Sequence, residues 1–134
     1  MPFLSLIKMK KTLKKADRLY KRDSIQRLFQ YGKSISTYPI RLLYSYEDHE
    51  KGESFLKASW VVPKKNFTKA VDRNALKRKM REAYRIHKGT LQESIQEGGK
   101  CLHLIFIYNS KEKISYKAIE GKIILILLRL QDVK

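Results

Sequence analysis

Lys64-Lys65-Asn66-Phe67-Thr68-Lys69-Ala70-Val71-Asp72-Arg73-Asn74-Ala75-Leu76-Lys77-Arg78-Lys79-Met80-Arg81-Glu82-Ala83-Tyr84-Arg85-Ile86-His87-Lys88 holds the longest helical pattern in the chain. At about 100° per residue, Leu76, Met80, Ala83, Tyr84 and His87 fall on one side, which is the side to be buried. Arg73, Lys77, Arg81, Arg85 and Lys88 form an adjoining stripe, with Asn74 and Arg78 at its margin. The spacing predicts a helix over 69–88, with Thr68 as N-cap, Asp72 near the positive end of the dipole and Gly89 closing it. Cations about one turn, or 5.4 Å, apart can follow a run of phosphates, and arginine adds bidentate geometry. Lys64 and Lys65 precede the helix N-terminus, where free backbone N–H groups also favour an anion.

The elements around this helix follow from local pattern. Upstream, Asp23 or Ser24 can cap a short helix carrying Ile25, Leu28 and Phe29, which Gly32 ends. Residues 38–46 and 55–62 read as strands, Pro39 fitting only at the start or on an edge, with 47–54 as the hairpin loop between them. Downstream, a polar stretch ends at Gly98-Gly99. Cys101 to Tyr108 is then a near-continuous apolar run, as in a strand covered on both faces and paired in parallel. Ser115 can cap a final helix over 116–131, although Gly121 and the run Ile123 to Ile126 pull towards strand. The order helix, strand, strand, helix, strand, helix is that of a single-domain α+β sandwich with a β-α-β unit inside it.

Charge distribution narrows the function. The chain of 134 residues carries 30 Lys or Arg against 13 Asp or Glu, a formal net charge of +17. Residues 8–22 contribute +7 and residues 64–88 contribute +8, leaving +2 for the other 94. Charge in two blocks on a balanced background is the footprint of a polyanion-binding surface. An anionic membrane is the weaker partner, because the basic stripe adjoins a core-packed side and no large exposed apolar one. Met1 to Ile7 has an apolar patch without the flanks of a signal peptide. Met9, before Lys10-Lys11, would serve as an alternative start. Residues 1–15 are expected to be a disordered basic arm, and 16–131 the folded domain.

Other chemistry finds little support. His49 among Glu47, Asp48, Glu50 and Glu53 sits in one loop without metal-ligand spacing, as do His87 and His103 in their elements. Cys101, the single cysteine, excludes an intrachain disulfide and reads as a core residue suited to a reducing cytosol. No pair of carboxylates marks a nuclease centre.

The basic helix resembles the signature of the protein subunit of bacterial ribonuclease P. That family's pattern runs Lys-Lys, a short gap, Ala-Val-x-Arg-Asn-Arg-x-Lys-Arg, then Arg-Glu. Here it is matched by Lys64-Lys65, Ala70-Val71-Asp72-Arg73-Asn74-Ala75-Leu76-Lys77-Arg78 and Arg81-Glu82. The resemblance spans roughly residues 16–130. It departs at Ala75, where the family has arginine, at Pro63, where better-known members have serine, and in a gap one residue longer.

The resemblance implies a sandwich with a left-handed β-α-β crossover. It implies a subunit of a ribonucleoprotein endoribonuclease in the cytoplasm, monomeric outside the complex. The catalytic RNA, with Mg²⁺, removes the 5′ leader of precursor tRNA, and the protein alone is inactive. By the same resemblance Lys64, Lys65, Lys69, Arg73, Asn74, Lys77, Arg78, Arg81 and Arg85 face the catalytic RNA. Ile25, which replaces a usual Phe, would line a cleft for the single-stranded leader with Phe29 and Leu43 or Tyr44. Phe29 stands open between core and cleft. A ribosomal or assembly-type RNA-binding protein and a protein-only nuclease are the alternatives.

Overall fold

The computed structural model describes residues 15–132, so the basic arm lies almost wholly outside the described residues. After a 3-10 turn (Lys15–Asp17), helix α1 spans Arg22–Tyr31, followed by strands β1 (Lys33–Thr37), β2 (Ile40–Asp48) and β3 (Leu56–Val61). Helices α2 (Ala70–His87) and α3 (Gly89–Gly98) lead to β4 (Lys100–Tyr108), and α4 (Tyr116–Asp132) ends the fold. The sheet order is β1-β2-β4-β3, with β1-β2 and β2-β4 antiparallel and β3-β4 parallel.

The run from Cys101 to Tyr108 is central because it is apolar on both faces. Leu102, Leu104, Phe106 and Tyr108 enter the main core with Leu76, Met80, Ala83 and Tyr84 of α2 and Ile119, Ile123, Ile126, Leu127 and Leu130 of α4. Ile105 faces the other way and packs with Leu28 of α1, Leu43 of β2 and Leu19. The fold is thus three helices, α2, α3 and α4, on one face of a mixed sheet and the short helix α1 on the other. The expected parallel partner for β4 is β3, across the crossover made by α2 and α3.

The structure corrects several expectations. Residues 47–54 are not a hairpin loop, because β4 lies between β2 and β3. The hairpin is instead β1-β2, turning at Tyr38-Pro39. Its first strand, Lys-Ser-Ile-Ser-Thr, buries only Ile35 and so carried no apolar alternation to read. Gly89 does not end in a loop but begins α3, whose first turn forms when the Gln92 N–H donates to the Lys88 carbonyl, 2.9 Å. Leu91 and Ile95, four residues apart, hold that helix against the core.

Caps shift too. α1 begins at Arg22 after Lys21, and α2 at Ala70 after Lys69, neither with a side-chain cap. α4 does follow Ser115, whose Oγ accepts from the Ala118 N–H at 3.2 Å. Its Gly121 faces open space, so the apolar residues at helical spacing decide the element. Gly32 ends α1 with an extended φ of −67°, donating to the Leu28 carbonyl at 2.9 Å. Its glycine is required by space: a Cβ there would lie 2.5 Å from that carbonyl oxygen.

Candidate nucleic-acid interface

Helix α2 presents the predicted buried side, with Leu76, Met80, Ala83 and Tyr84 in the core. His87 is half-buried beside them, its Nε2 3.0 Å from Glu120 of α4. The cations beside this face divide into three kinds. Lys77, Arg78 and Arg81, with the neutral Asn74 beside them, line a cleft of about 360 Å³ at the outer edge of β3. Lys64, Lys65 and Lys69 are exposed around the helix start. No ion pair among the described residues engages any of these lysines or arginines.

The third kind is already engaged. Arg73 donates from Nη1 to the carbonyl oxygens of Phe67 and Thr68, at 2.9 and 2.8 Å, and so ties down the loop that precedes α2. Arg85 donates from Nε to Glu82 at 3.1 Å, and that hydrogen bond holds the Glu82 carboxyl below its ordinary range. Lys88, expected on the exposed stripe, is instead 2% exposed. It sits at the α2-α3 junction, where its Nζ lies 3.9 Å from Asp17. Burial lowers its pKa from the usual lysine value, an effect Asp17 partly offsets.

The opposite wall of the cleft was not foreseen. Arg18, Leu19 and Tyr20 run beside β3, with the Leu19 N–H donating to the Ala58 carbonyl at 2.9 Å and a parallel bridge from Arg18 to Ala58. Ala58, Ser59 and Trp60 complete the lining. Tyr20 alone could have been suspected from sequence, as an aromatic set between Arg18 and Lys21-Arg22. The lining therefore holds four cationic side chains and no carboxylate. Asp72, the acid nearest the helix start, is drawn off to Lys113 at 2.7 Å, a hydrogen bond that lowers its pKa.

On the far sheet face, Ile25 packs with Leu28, Leu43 and Ile105 beneath α1. Phe29 is 55% exposed, so its ring is not core, and Tyr31 at the end of the same helix is exposed too. Tyr44 is corrected out of this cleft. Strand alternation turns it into the main core, edge-on to Tyr46 at 6.3 Å between centroids. A smaller polar cleft of about 120 Å³ adjoins α1, lined by Arg27, Glu47 and His103 among others.

The remaining candidates have structural partners. His49 donates from Nε2 to the Glu53 carbonyl, 2.7 Å, and stacks on Phe55 at 3.9 Å. Cys101 is buried, its Sγ donating to the Ser54 carbonyl at 3.3 Å, and burial pushes the thiol up to about 11. Among the described residues no helix is long and apolar enough to cross a membrane.

A mixed sheet with a cationic helix open to solvent along a carboxylate-free edge cleft defines a small α+β protein built to hold a polyanion. The comparisons with known proteins agree. The family model described as Ribonuclease P matches residues 13–131. The ribonuclease P protein component of Porphyromonas gingivalis is 38% identical over 109 residues, covering 81% of this chain and 78% of that protein. The RNase P protein from Thermotoga maritima superposes with a TM-score of 0.65 at 26% identity, over 84% of this chain and 96% of that one. The Staphylococcus aureus RNase P protein shares the fold, with a TM-score of 0.63 at 22% identity over 87% and 96%. The chain belongs to the ribonuclease P protein family.

Proposed function

We propose that the chain binds a catalytic RNA and the single-stranded leader of precursor tRNA, and so assists the RNA in removing that leader at the 5′ end. The observation that carries this reading is the set of cations without an ion-pair partner among the described residues, Lys77, Arg78 and Arg81, on one side of a helix whose acids engage Arg85 and Lys113. Phosphates neutralised by such groups release counterions, which gives affinity without sequence preference. Arg78, one turn beyond Ala75, supplies a guanidinium near the position where the family carries arginine. On the far face, exposed Phe29 offers a ring on which a leader base can stack whatever its identity.

In this reading the chemistry belongs to the RNA and the protein alone is inactive. Mg²⁺ works with that RNA. The residues of the cleft do not fit a protein-held Mg²⁺, since a hard cation takes several oxygen ligands, usually carboxylates, and the lining is cationic. The protein works in the cytoplasm, where its one thiol stays reduced.

The test is to incubate precursor tRNA and Mg²⁺ with protein, catalytic RNA, or both, at physiological salt. Stimulation of the RNA by an otherwise inactive protein is the expected result. Cleavage by the protein alone would make it a nuclease, and no stimulation would leave a ribosomal or assembly role.

A further inference from the structure

We propose that the cleft at the edge of β3 is a receptor for one extruded nucleotide of the RNA partner, not merely a stretch of phosphate-binding surface. The inference rests on the reading of the chain as an RNA-binding subunit and adds a base-binding subsite to it. At about 360 Å³, the cleft is at the lower end of the roughly 300–1,000 Å³ range of small-ligand sites. A duplex laid on the surface presents backbone, whereas a base already out of its stack can enter a recess and be gripped from its edges and face.

The lining supplies each kind of contact that a nucleotide needs. Arg78 and Arg81 are one turn apart on α2 and can hold the phosphate, with Arg18 on the opposite wall. Asn74, on the same helix wall, has an amide that both donates and accepts, the pattern suited to a base edge. Tyr20 borders the recess with 67% of its surface exposed, so its ring is free to stack on a base. No carboxylate lines the recess to repel the phosphate.

The cleft is also formed before anything binds. Its outer wall is fixed by the Leu19–Ala58 hydrogen bond and by the burial of Leu19. Just upstream, Asp17 accepts a hydrogen bond from Ser54 at 2.6 Å and faces buried Lys88. A preformed wall avoids the ordering cost that a floppy segment would exact on binding. Trp60, the only tryptophan in the sequence, lies in the lining and reports occupancy by its emission.

The experiment compares the full-length protein binding two RNA hairpins, one fully paired and one carrying a single unpaired purine in its stem. The unpaired purine should tighten binding by about 5- to 150-fold, the worth of one base-aromatic stack, and should change Trp60 emission more than the paired hairpin does. Tyr20→Ala should abolish the preference while keeping the affinity for the paired hairpin, and Tyr20→Phe should restore it. Equal affinity for the two hairpins with equal emission, or equal loss from both in Tyr20→Ala, would overturn the proposal. Stimulation of the catalytic RNA is measured separately, so loss of the subsite and loss of the ribonuclease P reading give different results.

Discussion

The ammonium of Lys88 lies 3.9 Å from the carboxylate of Asp17, inside a junction where only 2% of the lysine is exposed. This contact joins the end of α2 to the turn that introduces the outer wall of the cleft. Breaking a buried pair by removing one partner costs about 3–5 kcal/mol. Asp17→Asn should therefore lower unfolding stability by about 3 kcal/mol, read from the midpoint of urea denaturation. A midpoint unchanged within error would remove this pair from the account of the cleft.

Lys88 also sets a pH dependence. Its folded pKa is lowered by burial from 10.5, so between the folded value and 10.5 the unfolded chain binds more protons than the native one. Stability should rise with pH through that window. Lys88→Met should flatten the rise, and urea titrations at a series of alkaline pH values would reveal it.

Arg73 and Lys77 should separate on salt dependence. Lys77 lines the cleft without an ion-pair partner among the described residues, so Lys77→Ala should reduce the slope of log K against log salt by about 0.7–0.9. Arg73 spends Nη1 on two loop carbonyls. Arg73→Ala should change the slope less and cost about 1.5–3 kcal/mol of stability, the range for hydrogen bonds to charged groups. Equal slope changes in binding to the catalytic RNA would show Arg73 to be a phosphate contact like its neighbour.

Phe29, exposed on α1, gives a prediction with opposite signs of evidence. Phe29→Ala should change stability by no more than about 0.5 kcal/mol, as at ordinary surface sites. It should nonetheless weaken binding of precursor tRNA by about 1–3 kcal/mol while sparing mature tRNA. Equal weakening for both RNAs would take the leader away from this ring.

Gly32→Ala tests the end of α1. The added Cβ would meet the Leu28 carbonyl oxygen at 2.5 Å, so the chain must shift where Leu28 enters the small core under α1. A loss of about 1–3 kcal/mol is expected, as in other overpacked sites. Thermal unfolding with an unchanged midpoint would show that the turn gives way freely.

What could be read from sequence depended on how many residues carried the signal. The buried side of α2 was legible because four apolar residues recur at helical spacing, and β4 because both its faces are apolar. β1 has one buried residue and α3 is bounded by glycines, so neither produced a pattern that local rules detect. The order of strands was out of reach for a different reason: nothing near 47–54 says that a strand from 100–108 will come between β2 and β3. The cleft was half visible. Its α2 wall lies in the motif, whereas Arg18, Tyr20 and Trp60 join it only through pairing along β3. Lys88 was misplaced because helical phase continues past the point where α2 stops and α3 turns the chain inward.

The insertion of β4 between β2 and β3 also orders events during synthesis. Leu56 of β3 pairs with Leu102 of β4, so the strand that floors the cleft emerges from the ribosome well before the neighbour that anchors it. Through that interval β3 lacks its neighbour in the sheet, because it stands at the edge and pairs with β4. The wall of the recess that carries Ala58, Ser59 and Trp60 therefore takes its place only once residues 100–108 have been made.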